Sequence, residues 1–190
     1  LRGEALPESR AGTAALAERD PERAWQAVGK ARASMVSAAV LRQLAIRDVG
    51  LYEPVLELAA RSAREWTQRP VAMIAGLSGP TDQAVREAQV ALSHGYHAGM
   101  LSLAPMKGSS IDELIAHCTA VAEVMPLIGF YLQTAVGGIP LPMEFWRRFA
   151  LIDNVIAIKM APFDRYRTLD VVRGVVAAGA EERVALYTGN

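Results

Sequence analysis

The feature that most restricts this chain is a recurrence. From residue 70 onward, short and continuously apolar runs fall at 71–75, 98–103, 127–131, 155–159 and 184–188, with starts 27 to 29 residues apart. That interval is the size of a βα unit, about 30 residues. Strands of a parallel sheet are covered on both faces, so they read as unbroken apolar runs rather than as alternation. The segments between them carry helix punctuation. Thr81 or Asp82 is placed to cap a helix reaching Ser93, with Gly95 as its stop. Ser110-Ile111-Asp112-Glu113 reads as a capping box opening a helix that ends before Pro126. Pro142 suits the first turn of a helix through Phe149, and a further helix spans 168–178 with Gly179 after it. Upstream, 51–66 is helical with Tyr52, Val55, Leu56 and Ala59 on one face, 19–38 also reads helical, and 35–41 offers a strand.

Five regularly spaced βα units leave two architectures, a (β/α)8 TIM barrel or a doubly wound sheet. Uniform spacing without a Gly-x-Gly-x-x-Gly turn favours the barrel. A barrel takes about 250 residues, and this chain has 190. The expectation is therefore one α/β barrel domain over 1–190, incomplete, with strand 8 and the C-terminal helices missing and 1–45 supplying no clear first strand. Twenty basic and twenty acidic side chains cancel, so no broad cationic face for nucleic acid is expected. A single cysteine, Cys118, excludes an internal disulfide and a Cys-rich zinc site. No apolar run approaches the ~18 to 20 residues of a membrane span. A soluble protein of the cytoplasm, without metal or cofactor, is the resulting expectation.

Of the twenty basic residues seventeen are Arg, and the three lysines are Lys30, Lys107 and Lys159. Lys159 lies in Val155-Ile156-Ala157-Ile158-Lys159-Met160-Ala161, where a charged group is normally costly. Active sites of parallel barrels form at the carboxyl ends of the strands, and there Lys159 follows Tyr131 by one strand. An amine deprived of hydration becomes a nucleophile for carbonyl carbon and gives a Schiff base. A phenol beside it can shuttle the protons. The plainer alternative makes Lys159 a strand-end lysine reaching for solvent and Tyr131 a packed aromatic.

Ile128-Gly129-Phe130-Tyr131, then Gly137-Gly138 and Pro142, then Asn154 through Lys159 and on to Met160-Ala161-Pro162-Phe163-Asp164, resembles the dihydrodipicolinate synthase / N-acetylneuraminate lyase family. Val71 through Ser78, with Thr81, Ala84, Gly95 and Ala98-Gly99, is similar to that family's third strand, helix and fourth strand. Leu186-Tyr187-Thr188-Gly189-Asn190 resembles its seventh strand. The resemblance covers about residues 70–190. It implies a class I aldolase on a (β/α)8 barrel, with Lys159 as Schiff-base nucleophile and Tyr131 as proton relay. It further implies Ser78, Thr134, Gly137, Gly189 and Asn190 as substrate contacts, a small keto acid or aldehyde as substrate, and a homotetramer.

Departures from the pattern narrow that expectation. Where the family carries a hydroxyl pair after its second strand, this chain has Val40-Leu41-Arg42-Gln43-Leu44. The synthase branch's Tyr pair after the fourth strand is replaced by Met106-Lys107, and its Arg after the catalytic Tyr by Val136. A lyase, aldolase or dehydratase for a sugar-derived 2-keto acid fits better than dihydrodipicolinate synthesis itself. The competing readings are the synthase proper, a non-catalytic barrel that binds a small acid, and a barrel in which Lys159 only pairs with a phosphate or carboxylate. His94 and His97 suit solvent-facing positions, His117 and Cys118 suit helix packing, and Arg165 and Arg167 beside Asp164 suit a solvated loop. Gly76-Leu77-Ser78-Gly79 lacks the Lys and Ser/Thr of a P-loop.

Overall fold

A computed structural model describes residues 46–188. The helix and strand expected at 19–38 and 35–41, and Gly189 and Asn190, lie outside the described residues. Contacts group the chain into two units, Leu1–Tyr52 and Glu53–Asn190. In the described part of the first unit, the Arg47 guanidinium stands 4.8 Å from the Tyr52 ring centre. All further description concerns the second.

The elements follow in strict alternation: α1 (Tyr52–Trp66), β1 (Ile74–Leu77), α2 (Thr81–Ser93), β2 (Ala98–Leu101), α3 (Ile111–Ala122), β3 (Leu127–Leu132), α4 (Met143–Ala150), β4 (Val155–Ala161), α5 (Arg165–Ala177) and β5 (Ala185–Thr188). Short 3₁₀ turns at Ala104–Met106 and Thr134–Val136 follow β2 and β3. All five strands are parallel and lie in sequence order, each paired with the next. A doubly wound sheet reverses its strand order at a switch point, and this sheet does not. The order is that of a barrel wall, and among the described residues it remains an open sheet.

Local chemistry accounts for most element ends. The Ser110 side chain accepts from the Glu113 N–H while the Glu113 carboxylate accepts from the Ser110 N–H, completing the capping box of α3. Gly95 and Gly179 stop α2 and α5 at φ +82° and +62°, a left-handed conformation that costs glycine little. Three expectations shift. Helix α5 begins at Arg165 rather than Thr168, because the Asp164 carboxylate accepts from Tyr166 N–H and Arg167 N–H and caps it earlier. Thr81 does not cap α2, since its hydroxyl is hydrogen-bonded to His117 Nδ1 at 2.9 Å. On α1 the buried stripe is Leu56 and Ala60, an i, i+4 pair, whereas Val55 is 46% exposed.

Side chains of successive strand residues leave the sheet on opposite faces. One face carries Ala75, Leu77, Leu101, Tyr131, Ile158 and Met160, all buried, beneath the helices. Helix α4 contributes Phe145, Trp146 and Phe149, each at most 2% exposed, in edge and stacked contacts at centroid separations of 5.0 to 5.8 Å. Burying one such ring contributes roughly 1.5–3 kcal/mol. The close approach of α4 depends on two missing side chains. A Cβ on Gly129 would stand 2.7 Å from Phe149 Cε1, and one on Gly174 would stand 2.6 Å from Trp146 Cβ and 2.8 Å from Arg147 N. Behind α4, Arg183 donates to the carbonyl of Ala150, the last residue of that helix, and to those of Ile152, Asp153 and Val155 in the turn and strand that follow, placing a cation at the helix's carboxyl end. Among the described residues no helix is long and apolar enough to cross a membrane.

Gly129→Ala is therefore expected to destabilise the protein by about 1–3 kcal/mol through overpacking. Urea unfolding of the variant checks this, and an unchanged midpoint contradicts the account of α4.

Candidate functional site

The second face of the sheet is uncovered among the described residues. Ile74 is 42%, Ile156 41% and Tyr187 58% exposed there. Ala98, Ile128 and Ala157 form a small apolar cluster at its centre with Met100 packed against it. Above them lies a hollow of about 420 Å³, reaching from Ala72, Ile74 and His97 at the amino edge to Lys159, Tyr187 and Thr188 toward the carboxyl edge. Its size suits a small molecule, for which pockets of ~300–1,000 Å³ are usual.

Lys159 enters this hollow because of an irregularity in β4. Leu127 pairs with Val155, but Ile128 pairs with Ala157, so one residue, Ile156, is inserted between them. A bulge of this kind places two successive side chains on one face and re-aims everything beyond it. Ile156 and Ala157 both line the hollow. From there on the pairing is offset by one, and Lys159 stands opposite Phe130, while Tyr131 stands opposite Met160. The Lys159 ammonium lies 5.3 Å from the centre of the Phe130 ring, whose electron-rich face attracts it.

The expected Lys159–Tyr131 pair does not form. Tyr131 projects to the helical side, 2% exposed, with its ring centre 5.1 Å from that of Trp146. Its hydroxyl accepts from the Leu141 N–H at 3.3 Å. Burial is the largest influence on that phenol and raises it above its ordinary pKa. Strand register thus places Tyr131 and Lys159 on opposite faces of the sheet. Had the pairing of Leu127 with Val155 continued without the extra residue, Tyr131 and Lys159 would have been partners.

The other expected site residues lie outside the hollow or beyond description. Ser78 is buried in the turn after β1, where its N–H donates to Glu87 Oε2 at 3.0 Å and Gln83 Nε2 donates to Glu87 Oε1 at 2.9 Å. Thr134 and Gly137 are exposed on the 3₁₀ turn after β3, with Gly137 at φ +97°. Both sit at the carboxyl rim. The residues that the sequence reading did not single out, Phe130 and Tyr187, flank Lys159 on either side. Tyr187 pairs with Lys159 across β4 and β5. Both were visible as aromatic residues in strand runs, but nothing local reveals which face they take.

Asn154, at the head of the lysine-bearing run, donates from Nδ2 to the Ala122 carbonyl at 2.7 Å and so ties the start of β4 to the end of α3. After β4, Phe163 adopts φ +51° and is 73% exposed at the carboxyl rim. His94 Nε2 meets Glu53 at 3.0 Å, and His97 Nδ1 accepts from the Met73 N–H at 3.0 Å. Among the described residues no group of three or more His, Cys, Asp or Glu is placed to hold a metal ion. Arg165 stacks near the Tyr166 ring at 5.0 Å and Arg167 lies 3.9 Å from Asp170, both in solvent. Burial pushes the Cys118 thiol up to about 12, which keeps it unreactive.

No family model matches the sequence, and no curated protein matches it. Solved structures that it resembles include several dihydrodipicolinate synthases. That from Aquifex aeolicus is 20% identical, with a TM-score of 0.60, over 73% of this chain and 45% of that one. That from Thermotoga maritima is 15% identical with a TM-score of 0.60, over 74% and 47%. That from Agrobacterium tumefaciens is 24% identical with a TM-score of 0.56, over 73% and 52%. The chain spans about half the length of these relatives. The likeness supports the fold: the five βα units match a segment of these proteins.

His117 provides a pH handle on the same scaffold. It is 1% exposed, with Nδ1 bonded to Thr81 and Nε2 without a partner, and burial lowers its pKa below 6.5. Folding therefore disfavours its proton. Stability is fully present above about pH 6.5 and falls as the pH drops below that value, where the unfolded chain binds the proton first. Urea midpoints between pH 7.5 and 5 should decline in the wild type and decline less in His117→Gln. Equal slopes contradict the assignment.

Proposed function

We propose that this chain carries the nucleophile-bearing part of a Schiff-base-forming aldolase or lyase of (β/α)8 architecture, acting on a 2-keto acid of the pyruvate type. Lys159 is the nucleophile. Its unprotonated amine adds to the keto carbon, and loss of water from the carbinolamine leaves an iminium. The iminium draws electrons from the neighbouring carbon–carbon bond and so permits its cleavage or formation. The observation that carries the reading is the position of Lys159: the bulge at Ile156 turns it out of the helix-covered core and into the hollow, with an aromatic ring beside it.

The departures at the rim bear on the substrate. Val136 is 49% exposed and offers no charge where the resemblance places an arginine for a dicarboxylic partner. A sugar-derived keto acid therefore suits the site better than the substrates of dihydrodipicolinate synthesis. Thr134 and Gly137 at the carboxyl rim, with Ser78, Gly189 and Asn190, are the candidates for holding the rest of such a molecule. A homotetramer follows the same resemblance.

Borohydride reduction in the presence of pyruvate should give one covalent adduct on intact protein, mapped to Lys159, and none in Lys159→Ala. A wild-type protein without adduct contradicts the reading. Thermal stabilisation by pyruvate that survives Lys159→Ala points instead to binding without imine formation.

A further inference from the structure

Among the described residues, the hollow holds a cation and no acid. Its lining includes Lys159 but neither Asp nor Glu. No carboxylate of the described residues pairs with that ammonium, which stands instead 5.3 Å from the centre of the Phe130 ring. From Lys159 toward the amino edge the floor is apolar, with Ile156 and Ala157 on β4, Ile128 on β3, and Ala98 and Met100 on β2. A polyol laid on this floor would lose water without gaining hydrogen-bond partners. The floor is therefore not used by a sugar-derived substrate held at the rim.

One cation above an apolar floor complements a molecule with one negative end and an apolar body. The floor extends along β4 from Lys159 back to Ile156, about 10 Å at the rise of a strand. With C–C bonds of about 1.5 Å, that is the length of an extended chain of roughly eight carbons. The hollow, at about 420 Å³, has room for it. We propose that the hollow is a binding site for an unbranched aliphatic monocarboxylate. The carboxylate pairs with Lys159, and the chain lies over Ile128, Ala157 and Ile156 toward the amino edge. The binding is non-covalent and does not depend on the imine chemistry proposed above. Where that chemistry operates, the acid occupies the amine and excludes the keto acid.

Isothermal titration calorimetry of the 190-residue chain with butanoate, hexanoate and octanoate, each below its micelle-forming concentration, tests the proposal. Each added methylene should tighten binding about three- to four-fold, the equivalent of about 0.8 kcal/mol. Octanoate should therefore bind on the order of 100-fold more tightly than butanoate. Lys159→Met keeps an apolar stem and should weaken octanoate about ten-fold while leaving the uncharged 1-octanol unaffected. Ala157→Leu raises the floor without touching the charge and should weaken octanoate more than butanoate, its unfolding temperature serving as the check on folding. Affinity that does not rise with chain length, or equal binding of octanoate to Lys159→Met, overturns the proposal. Saturating octanoate should also block reductive trapping of pyruvate on Lys159, and trapping that continues unimpeded overturns the placement of the carboxylate. A chain that binds octanoate as described yet traps no pyruvate overturns the aldolase reading alone.

Discussion

The pairing of β3 with β4 is the constraint from which the arrangement of the site follows. Both strands start in step, Leu127 beside Val155, and then β4 accommodates one extra residue at Ile156. Because side chains alternate with a period of two, one inserted residue exchanges the faces of everything after it. Val155 stays in the core at 0% exposure, Ile158 and Met160 take the helical side, and Lys159 is delivered to the open side. Without the insertion the lysine would share the helix-covered face with Tyr131, among Trp146 and its neighbours.

The two faces of the sheet are built on opposite principles. Behind it, glycines at 129 and 174 remove side chains so that the aromatic residues of α4 reach the strands and α5 reaches α4. Dense packing there fixes the backbone of β3 and β4, and Arg183 and Asn154 secure the ends by bonding carbonyls of the preceding segments. In front, small and flexible residues (Ala98, Ala157, Met100) leave space. Parallel sheets are ordinarily covered on both faces. The apolar front, with a lysine and a tyrosine in it, is left without such a cover among the described residues.

Much of the fold was legible in advance. The 27-to-29-residue interval, the capping box at Ser110 and the stops at Gly95 and Gly179 all depend on local backbone preferences, which sequence states directly. The differences have one local and one distant origin. Asp164 outcompeted Thr168 as a cap because its carboxylate reaches two N–H groups at once. Thr81 was drawn from a capping role by His117, thirty-six positions away, a partner that no window of sequence contains.

The sequence by itself determined that a parallel sheet exists, that its strands follow one another in order, and that Lys159 belongs to one of them. Only the tertiary structure decided which face that lysine occupies and which aromatic side chains stand beside it. The reason is that strand direction and length are set by residues near one another, whereas register is set by pairing between distant strands. The same 28-residue separation of Tyr131 and Lys159 is compatible with juxtaposition or with opposite faces, and the single residue at Ile156 selects the second.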